Sequence, residues 1–244
     1  MIVNLIPMAG EGKRFKDEGY QLPKPLIKVD GIPMVIKALN SLPKADKNLF
    51  ILREDQIDYL QFKRTVSKFC SNFELILLDK ITEGQASTCL YAENFIEQNS
   101  ILNIGSCDVG YSYNKEWFYK MLDKNDCLIW SYKNKKHILK NPDMYGWVRV
   151  IENTNKIDFV SCKKTISNNP LNDYVVSGTF TFKDSNMFFS SIKKMIELND
   201  RINNEFYIDN VFNHINVEKA VFEVDEIFSW GTPHELNNYL KKSS

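Results

Sequence analysis

Short apolar runs alternate with amphipathic stretches through the first half of the chain. Ile2–Pro7 (IVNLIP) is an apolar run of strand length that stops at a loop carrying glycines and prolines, Gly10 to Pro25. Pro33–Leu42 places Val35, Ile36, Leu39 and Leu42 on one helical face, and Asp55–Phe69 reads as a second helix. Asn48–Leu52 and Phe73–Leu78 (FELILL) are strand-like, as is Ser100–Gly105, which ends at Ser106-Cys107-Asp108. Between the last two strands, Thr82–Asn94 is predicted helical, opened by Thr82-x-x-Gln85 in the form of a capping box. Strands and helices alternating in this order predict right-handed crossovers and a largely parallel sheet. Ligands of such sheets collect beyond the carboxyl ends of the strands. Three features fall there: the loop after Pro7, the segment around Glu83, and Asp108.

The second half has a different rhythm. Cys127–Tyr132, Trp147–Glu152, Ile157–Cys162 and Tyr174–Phe182 read as strands, with Asn153-Thr154-Asn155-Lys156 as a hairpin turn. Helices are predicted at Asp184–Leu198 and around Glu205–Ile215, then a strand at Ala220–Val224 and a C-terminal helix from about Pro233. No compositional break marks a linker and no repeat is visible. The expectation is one domain over residues 1–244, with halves 1–125 and 126–244. Its fold class is α/β: a Rossmann-like mixed, mostly parallel sheet flanked by helices, with a smaller β-rich lobe.

Charge and composition narrow the partners. Lysine plus arginine and aspartate plus glutamate are 31 each, so no overall field draws the chain to nucleic acid or to an anionic membrane. Any anion site has to be local. No apolar stretch reaches the roughly 18–20 residues of a membrane span, and Met1–Ala9 lacks the basic leader of a signal peptide. Five scattered cysteines without a CxxC pair read as reduced, buried thiols, and a cytoplasmic protein is expected.

The local anion site is the first loop. Ala9-Gly10-Glu11-Gly12-Lys13-Arg14-Phe15 follows a strand, and Pro23-Lys24-Pro25-Leu26 comes soon after. Glycines there let backbone N–H groups approach phosphate oxygens, with Arg14 as a forked donor and Lys24 as a point charge. From Glu11 to Lys28 there are five basic residues against three acidic, in a chain whose total charge is zero. It is not a Walker A loop, since Arg14 follows Lys13, nor a dinucleotide fingerprint, since Phe15 holds the third glycine's place. A bare GxG after a strand is as compatible with a tight solvent turn as with phosphate binding. The RF and PKPL that follow tilt the balance.

These residues resemble a known family, the sugar-nucleotide type of nucleotidyltransferase, whose pattern is an N-terminal strand, AGxGxRF, then PKPL. Later segments are similar in the same order: Glu83-Gly84-Gln85-Ala86, Asp108, Tyr145-Gly146-Trp147-Val148, Gly178-Thr179-Phe180, Asn204-Glu205-Phe206-Tyr207 and Trp230-Gly231-Thr232-Pro233. The resemblance implies an enzyme that joins an NTP to a small phosphorylated acceptor with release of pyrophosphate. It implies that Met8, Ala9, Gly10, Gly12, Lys13, Arg14 and Lys24 surround the triphosphate, with Arg14 and Lys24 catalytic. It also implies that Glu83, Gly84 and Gln85 read the base, although Gln85 as a helix cap is an equal reading. Tyr145, Gly146, Lys163, Gly178 and Glu205 would contact the acceptor, with Lys164 an alternative to Lys163.

The implied cofactor is Mg²⁺ on Asp108 and Asp225, with Glu226 a competitor for the second place. Many members of the family carry that second aspartate two residues before the glycine of GTP, where this chain has Ser229. The ending and EGQAST resemble capsule or surface-polysaccharide cytidylyltransferases, including the type that activates phosphoglutamine with CTP. Sugar 1-phosphates and phosphocholine are other acceptors, and uridylyl, thymidylyl or guanylyl transfer is another activity in view. Nucleic acid and membrane are not expected as partners; a homodimer is compatible. Trp147 and Trp230 are expected to be core or wall, the Phe188-Phe189 pair core or subunit contact, and His137, His214 and His234 surface or structural. Two other classes compete: a non-catalytic binding protein on the same fold, and a glycosyltransferase, whose usual DxD is absent at Ser106-Cys107-Asp108.

Overall fold

The computed structural model describes residues 1–243; Ser244, the last residue of the expected domain, lies outside them. The chain opens with β1 (Ile2–Pro7), a short α1 (Lys13–Asp17), the hairpin β2 (Lys28–Val29) and β3 (Ile32–Pro33), and α2 (Met34–Leu39). Then come β4 (Lys47–Arg53), α3 (Tyr59–Val66), β5 (Phe73–Leu78), α4 (Gln85–Leu90), β6 (Ile101–Ile104), β7 (Val109–Ser112) and α5 (Lys115–Lys124). The second half supplies β8 (Cys127–Tyr132), β9 (Gly146–Val150), β10 (Ile157–Cys162), β11 (Tyr174–Phe182), α6 (Ser185–Glu197), α7 (Ile208–Val211), β12 (Lys219–Glu223), β13 (Glu226–Ser229) and α8 (Pro233–Ser243).

Four parallel strands in the order β5-β4-β1-β6 form one side of a nine-stranded sheet. The order turns around at β1, so the loops after β1 and β6 face each other across a switch point. The strands of the second half continue this sheet. β11 runs antiparallel to β6 through Phe180–Phe182 and antiparallel to β9 through Tyr174 and Val175. Its other edge pairs with β8 over both stretches, so β6 and β9 share one edge of β11. Between them the register breaks, from Val176 to Phe180, with Gly178 at φ +91°. The sheet forks at this bulge.

Alternation along the strands divides the interior into two faces. Val3, Leu5, Leu49, Ile51, Leu102 and Ile104 pack on one side with Cys89, Phe188, Ile192 and Phe212; Ile6, Phe50 and Leu52 pack on the other with Val35, Phe62, Phe118 and Trp130. A third, smaller cluster joins Phe15, Met34, Trp230 and Leu236 beneath the first loop. The second face also carries a polar column. Asn103 Nδ2 donates to Asn4 Oδ1 at 3.0 Å, Asn4 Nδ2 donates to Asn48 Oδ1 at 3.3 Å, Thr181 Oγ1 donates to Asn103 Oδ1 at 2.8 Å, and Trp130 Nε1 donates to Thr181 Oγ1 at 3.0 Å. A one-residue slip would turn all of these groups onto the apolar face, so the column holds the register of five strands.

Several elements differ from expectation. α3 begins at Tyr59 rather than Asp55, because the Asp55 carboxylate is held by Arg53 and Asp58 caps the helix through Gln61 N–H. The capping box at Thr82 does not form. Gly84 is the cap residue, at φ 122°, and Thr82 Oγ1 donates to the Gly84 carbonyl instead. The helix expected around Glu205–Ile215 shrinks to α7 and one 3-10 turn. The antiparallel pair β7–β13 and helix α5 carried no clear apolar pattern and were not foreseen. No helix among the described residues is long and apolar enough to cross a membrane.

Candidate active site

The loop after β1 is shaped by one glycine and kept open by another. Gly12 adopts φ +62° at the start of α1, where a side chain would be strained. At Gly10 a Cβ would meet nothing, so its surroundings are open space. The buried Arg53 steadies the base of the loop: it holds Asp55 through two oxygens and donates to the Ala9 carbonyl at 3.3 Å. This residue was not read as part of the site, since its role appears only when β4 lies beside β1.

Lys24, on a 3-10 turn, reaches across the loop and pairs with Asp108, which follows β6. Side-chain exposure is 21% for Lys24 and 15% for Asp108, so the pair is largely withdrawn from water without being closed off. Burial works to lower the Lys24 pKa, but the charge and hydrogen bond of Asp108 outweigh it and hold the ammonium above its usual range. For Asp108 burial works upward, and the Lys24 charge and bonds from Lys24 and Ser106 bring the carboxyl below its usual range. Both groups are thus charged at neutral pH. The Arg14 charge is near enough to oppose protonation of Lys24, and Arg14 has no ion pair among the described residues. Lys24 is thus the cation held on Asp108, and Arg14 acts on Lys24 only through its charge. A small cavity of about 220 Å³ opens here, lined by Met8, Gly10, Gly12, Lys24, Ser106 and Asp108.

Beyond Asp108 lies a much larger cleft of about 1160 Å³, at the fork of the sheet. Tyr145, Gly146, Lys163 and Gly178 line it together with Gln85, Tyr132, Tyr207 and Asp209. Lys163 stands out by its backbone. Among the described non-glycine residues with positive φ, the others are all Asp or Asn, and Lys163 sits at +59°. That conformation is costly for lysine and turns its side chain over the Tyr207 ring at 5.3 Å, with Nζ donating to the Met144 carbonyl. Lys164 does not line the cleft.

Two features of this cleft escaped the sequence reading. Asp209, 9% exposed, lies against Gly146, where a Cβ would come within 2.1 Å of its Oδ2. Burial pushes its carboxyl above the usual range despite the Cys162 thiol and Lys163 nearby. The Ser177 hydroxyl, also on the cleft and 7% exposed, has no hydrogen-bond partner. An apolar context in sequence hid both.

Other expected site residues are placed differently. Glu83 lines neither cavity; its carboxylate is held by Arg201 at 2.8 Å, and its carbonyl accepts from Phe206 N–H. Gly84 serves the same tie, since a Cβ would lie 2.6 Å from the Phe206 backbone. Ala9 is buried, and Lys13 and Arg14 are exposed and line neither cavity; Glu205 pairs through its backbone with Ile202, and its carboxylate bonds Tyr207, which lines the large cleft.

The pairing of Asp225 with Asp108 on one metal is corrected by the β7–β13 ladder. Asp225 N–H binds the Ser112 carbonyl at one end, while Ser229 lies opposite Val109, next to Asp108, at the other. Trp230 N–H binds the Asp108 carbonyl, so five residues at about 3.3 Å each put Asp225 about 16 Å along the ladder from Asp108, too far for one ion to touch both. Glu226, opposite Ser112, is at the same far end. Trp147, Trp230, Phe188 and Phe189 are core, as expected. His137 and His234 line the large cleft, whereas His214 binds Asp200 at 2.8 Å.

No protein-family model and no curated protein matches the sequence. Solved structures do. The chain is similar to a nucleoside-diphosphate-sugar pyrophosphorylase from Vibrio cholerae at 19% identity, with TM-score 0.77 over 98% of this chain and 99% of that one. It is similar to an inositol-1-phosphate CTP transferase from T. maritima at 17% identity, with TM-score 0.72 over 99% and 96%. HddC from Yersinia pseudotuberculosis matches at 14% identity and TM-score 0.72 over the whole of both chains. The fold of this chain is therefore the mixed α/β fold seen in sugar-nucleotide nucleotidyltransferases, with a sheet of nine strands flanked by helices.

Proposed function

We propose that the protein is a Mg²⁺-dependent nucleotidyltransferase. It transfers a nucleoside monophosphate, CMP by preference, from an NTP to a small phosphorylated acceptor and releases pyrophosphate. The acceptor is a phosphoglutamine-like molecule or a sugar 1-phosphate, and the product serves synthesis of capsule or surface polysaccharide. One observation carries this reading: a glycine loop brings Lys24, with the Arg14 charge nearby, onto Asp108 beside a large cleft that contains another cation, Lys163. Two separated phosphate-binding charges with a carboxylate between them suit a reaction in which one phosphate attacks another. The CTP preference draws on the similarity to a CTP transferase and on the EGQAST segment.

In this chemistry an oxygen of the acceptor phosphate attacks the α-phosphorus in line with the departing pyrophosphate. Positioning and neutralisation of charge supply the catalysis. Backbone N–H groups around Gly10 and Gly12, with Arg14, hold the triphosphate; Lys24 exchanges part of its bond with Asp108 for the α-phosphate; Lys163 holds the acceptor phosphate. The donor set suits magnesium, which takes one or two carboxylates and completes its coordination with phosphate oxygens and water. No group of three or more His, Cys, Asp or Glu that could hold a metal occurs among the described residues. Asp108 would hold the ion, which when bound neutralises charge on the phosphate oxygens.

A second acceptor, phosphocholine, is favoured by the aromatic residues Tyr132, Tyr145 and Tyr207 among the lining of the cleft, since aromatic faces attract an ammonium group. A pyrophosphate-release screen of four NTPs against glucose 1-phosphate, phosphoglutamine and phosphocholine tests the proposal. Release with CTP and one acceptor is expected. Silence across the panel would favour a non-catalytic binding protein.

A further inference from the structure

Gly231 stands between two carboxylates. A Cβ there would lie 3.0 Å from Asp108 Oδ2 and 3.4 Å from Glu235 Oε2, so both oxygens flank a single point beside the backbone. Gly231 does not have a positive φ, so its conformation alone does not call for glycine. The space is what its missing side chain leaves free.

Glu235 belongs to the first turn of α8. Thr232 Oγ1 accepts from Glu235 N–H at 3.1 Å and donates to Glu235 Oε2 at 3.0 Å. In a reciprocal capping box the glutamate would turn back to the backbone N–H of the cap residue. Here its carboxylate is instead carried toward Asp108 and the large cleft, and it has no ion pair among the described residues.

Charge gives the arrangement a purpose. Asp108 is already neutralised by Lys24, and Arg14 adds further positive charge, so Asp108 alone offers a divalent cation little attraction. A second carboxylate at Gly231 restores it. Magnesium binds oxygens at about 2.0–2.1 Å, so its ligands have to be immediate neighbours. The Asp108 and Glu235 oxygens both lie within 3.4 Å of the one point beside Gly231, whereas Asp225 is at the opposite end of the β7–β13 ladder.

We infer that Glu235, rather than Asp225, is the second carboxylate of the divalent-ion site anchored by Asp108. This rests on the nucleotidyltransferase reading above, and the experiment separates the two. Mn²⁺ is titrated into the full-length protein and binding is read from loss of the free-ion EPR signal. Glu235→Gln keeps an acceptor for Thr232 and should weaken Mn²⁺ binding at least fivefold at an unchanged melting temperature. Asp225→Asn should bind as the unaltered protein does. Equal binding by Glu235→Gln, or weakened binding by Asp225→Asn, overturns the inference. If Glu235→Gln does not fold, Glu235→Asp, which withdraws the carboxylate by one methylene, takes its place with the same expected loss. Asp108→Asn is the separate control: if it binds Mn²⁺ undiminished, the metal-dependent reading of the whole site fails, however Glu235 behaves.

Discussion

The Lys24 ammonium and the Asp108 carboxylate are paired across 84 residues of chain, where the loops after β1 and β6 meet. In the proposed reaction a cation held in this way by a carboxylate would exchange part of that bond for a phosphate oxygen.

Lys24→Ala should therefore keep NTP binding within several-fold and lower turnover by about 10²–10³, the loss typical of a charge-stabilising donor removed from a partly dry site. Steady-state turnover with calorimetric NTP affinity checks it. An unchanged rate would remove Lys24 from the chemistry.

Lys163 is assigned to the acceptor end. Lys163→Gly removes the charge and relieves the left-handed backbone, so stability should stay within about 1 kcal/mol. The acceptor KM should rise about tenfold or more, as expected for a charged hydrogen bond worth about 1.5–3 kcal/mol, with the NTP KM unmoved. A rise shared by both KM values would contradict the assignment.

Asp209 makes a pH prediction. Burial raises its folded pKa above the ordinary carboxylate value, so the folded state holds the proton more tightly than the unfolded chain. Its contribution therefore becomes unfavourable as pH climbs from the ordinary carboxylate range through the folded pKa. Asp209→Asn should gain melting temperature over the unaltered protein at neutral pH and lose that advantage near pH 4. A difference that does not change between the two pH values would show the buried charge to be fully compensated.

Asn103 sits at the centre of the polar column. Asn103→Ala leaves Asn4 Oδ1 without its Asn103 donor and the Thr181 hydroxyl without its acceptor. At about 1–3 kcal/mol for each buried group, the loss should be about 2–6 kcal/mol in urea unfolding. A loss below about 1 kcal/mol would mean that the column does not hold the sheet together.

Much of this site was legible in the linear chain. Glycines and cations spaced after an apolar strand, a lone aspartate after another strand, and Tyr145-Gly146 were readable because each is a local signal: a turn that needs positive φ, a strand end, a short motif. The structure brings Gly12, Lys24 and Asp108 together around one small cavity, and Tyr145, Gly146, Lys163 and Gly178 line the large cleft. Glu83 shows the limit. Its acidic side chain beside a glycine had the look of a ligand contact, yet Arg201, 118 residues away, holds it in a structural tie.

The sequence by itself determined the alternation of strands and helices, and with it a largely parallel first half whose loops carry the glycines, Lys24 and Asp108. Hydrophobic period and turn residues are properties of neighbours in the chain. Only the tertiary structure decided which carboxylates meet. The short β7–β13 pair sends Asp225 to the far end and brings Gly231 and Glu235 to Asp108. The fork in β11 likewise opens the cleft on Asp209 and Ser177. Those neighbours are set by strand pairing between segments distant in sequence, and no local pattern records which rung faces which.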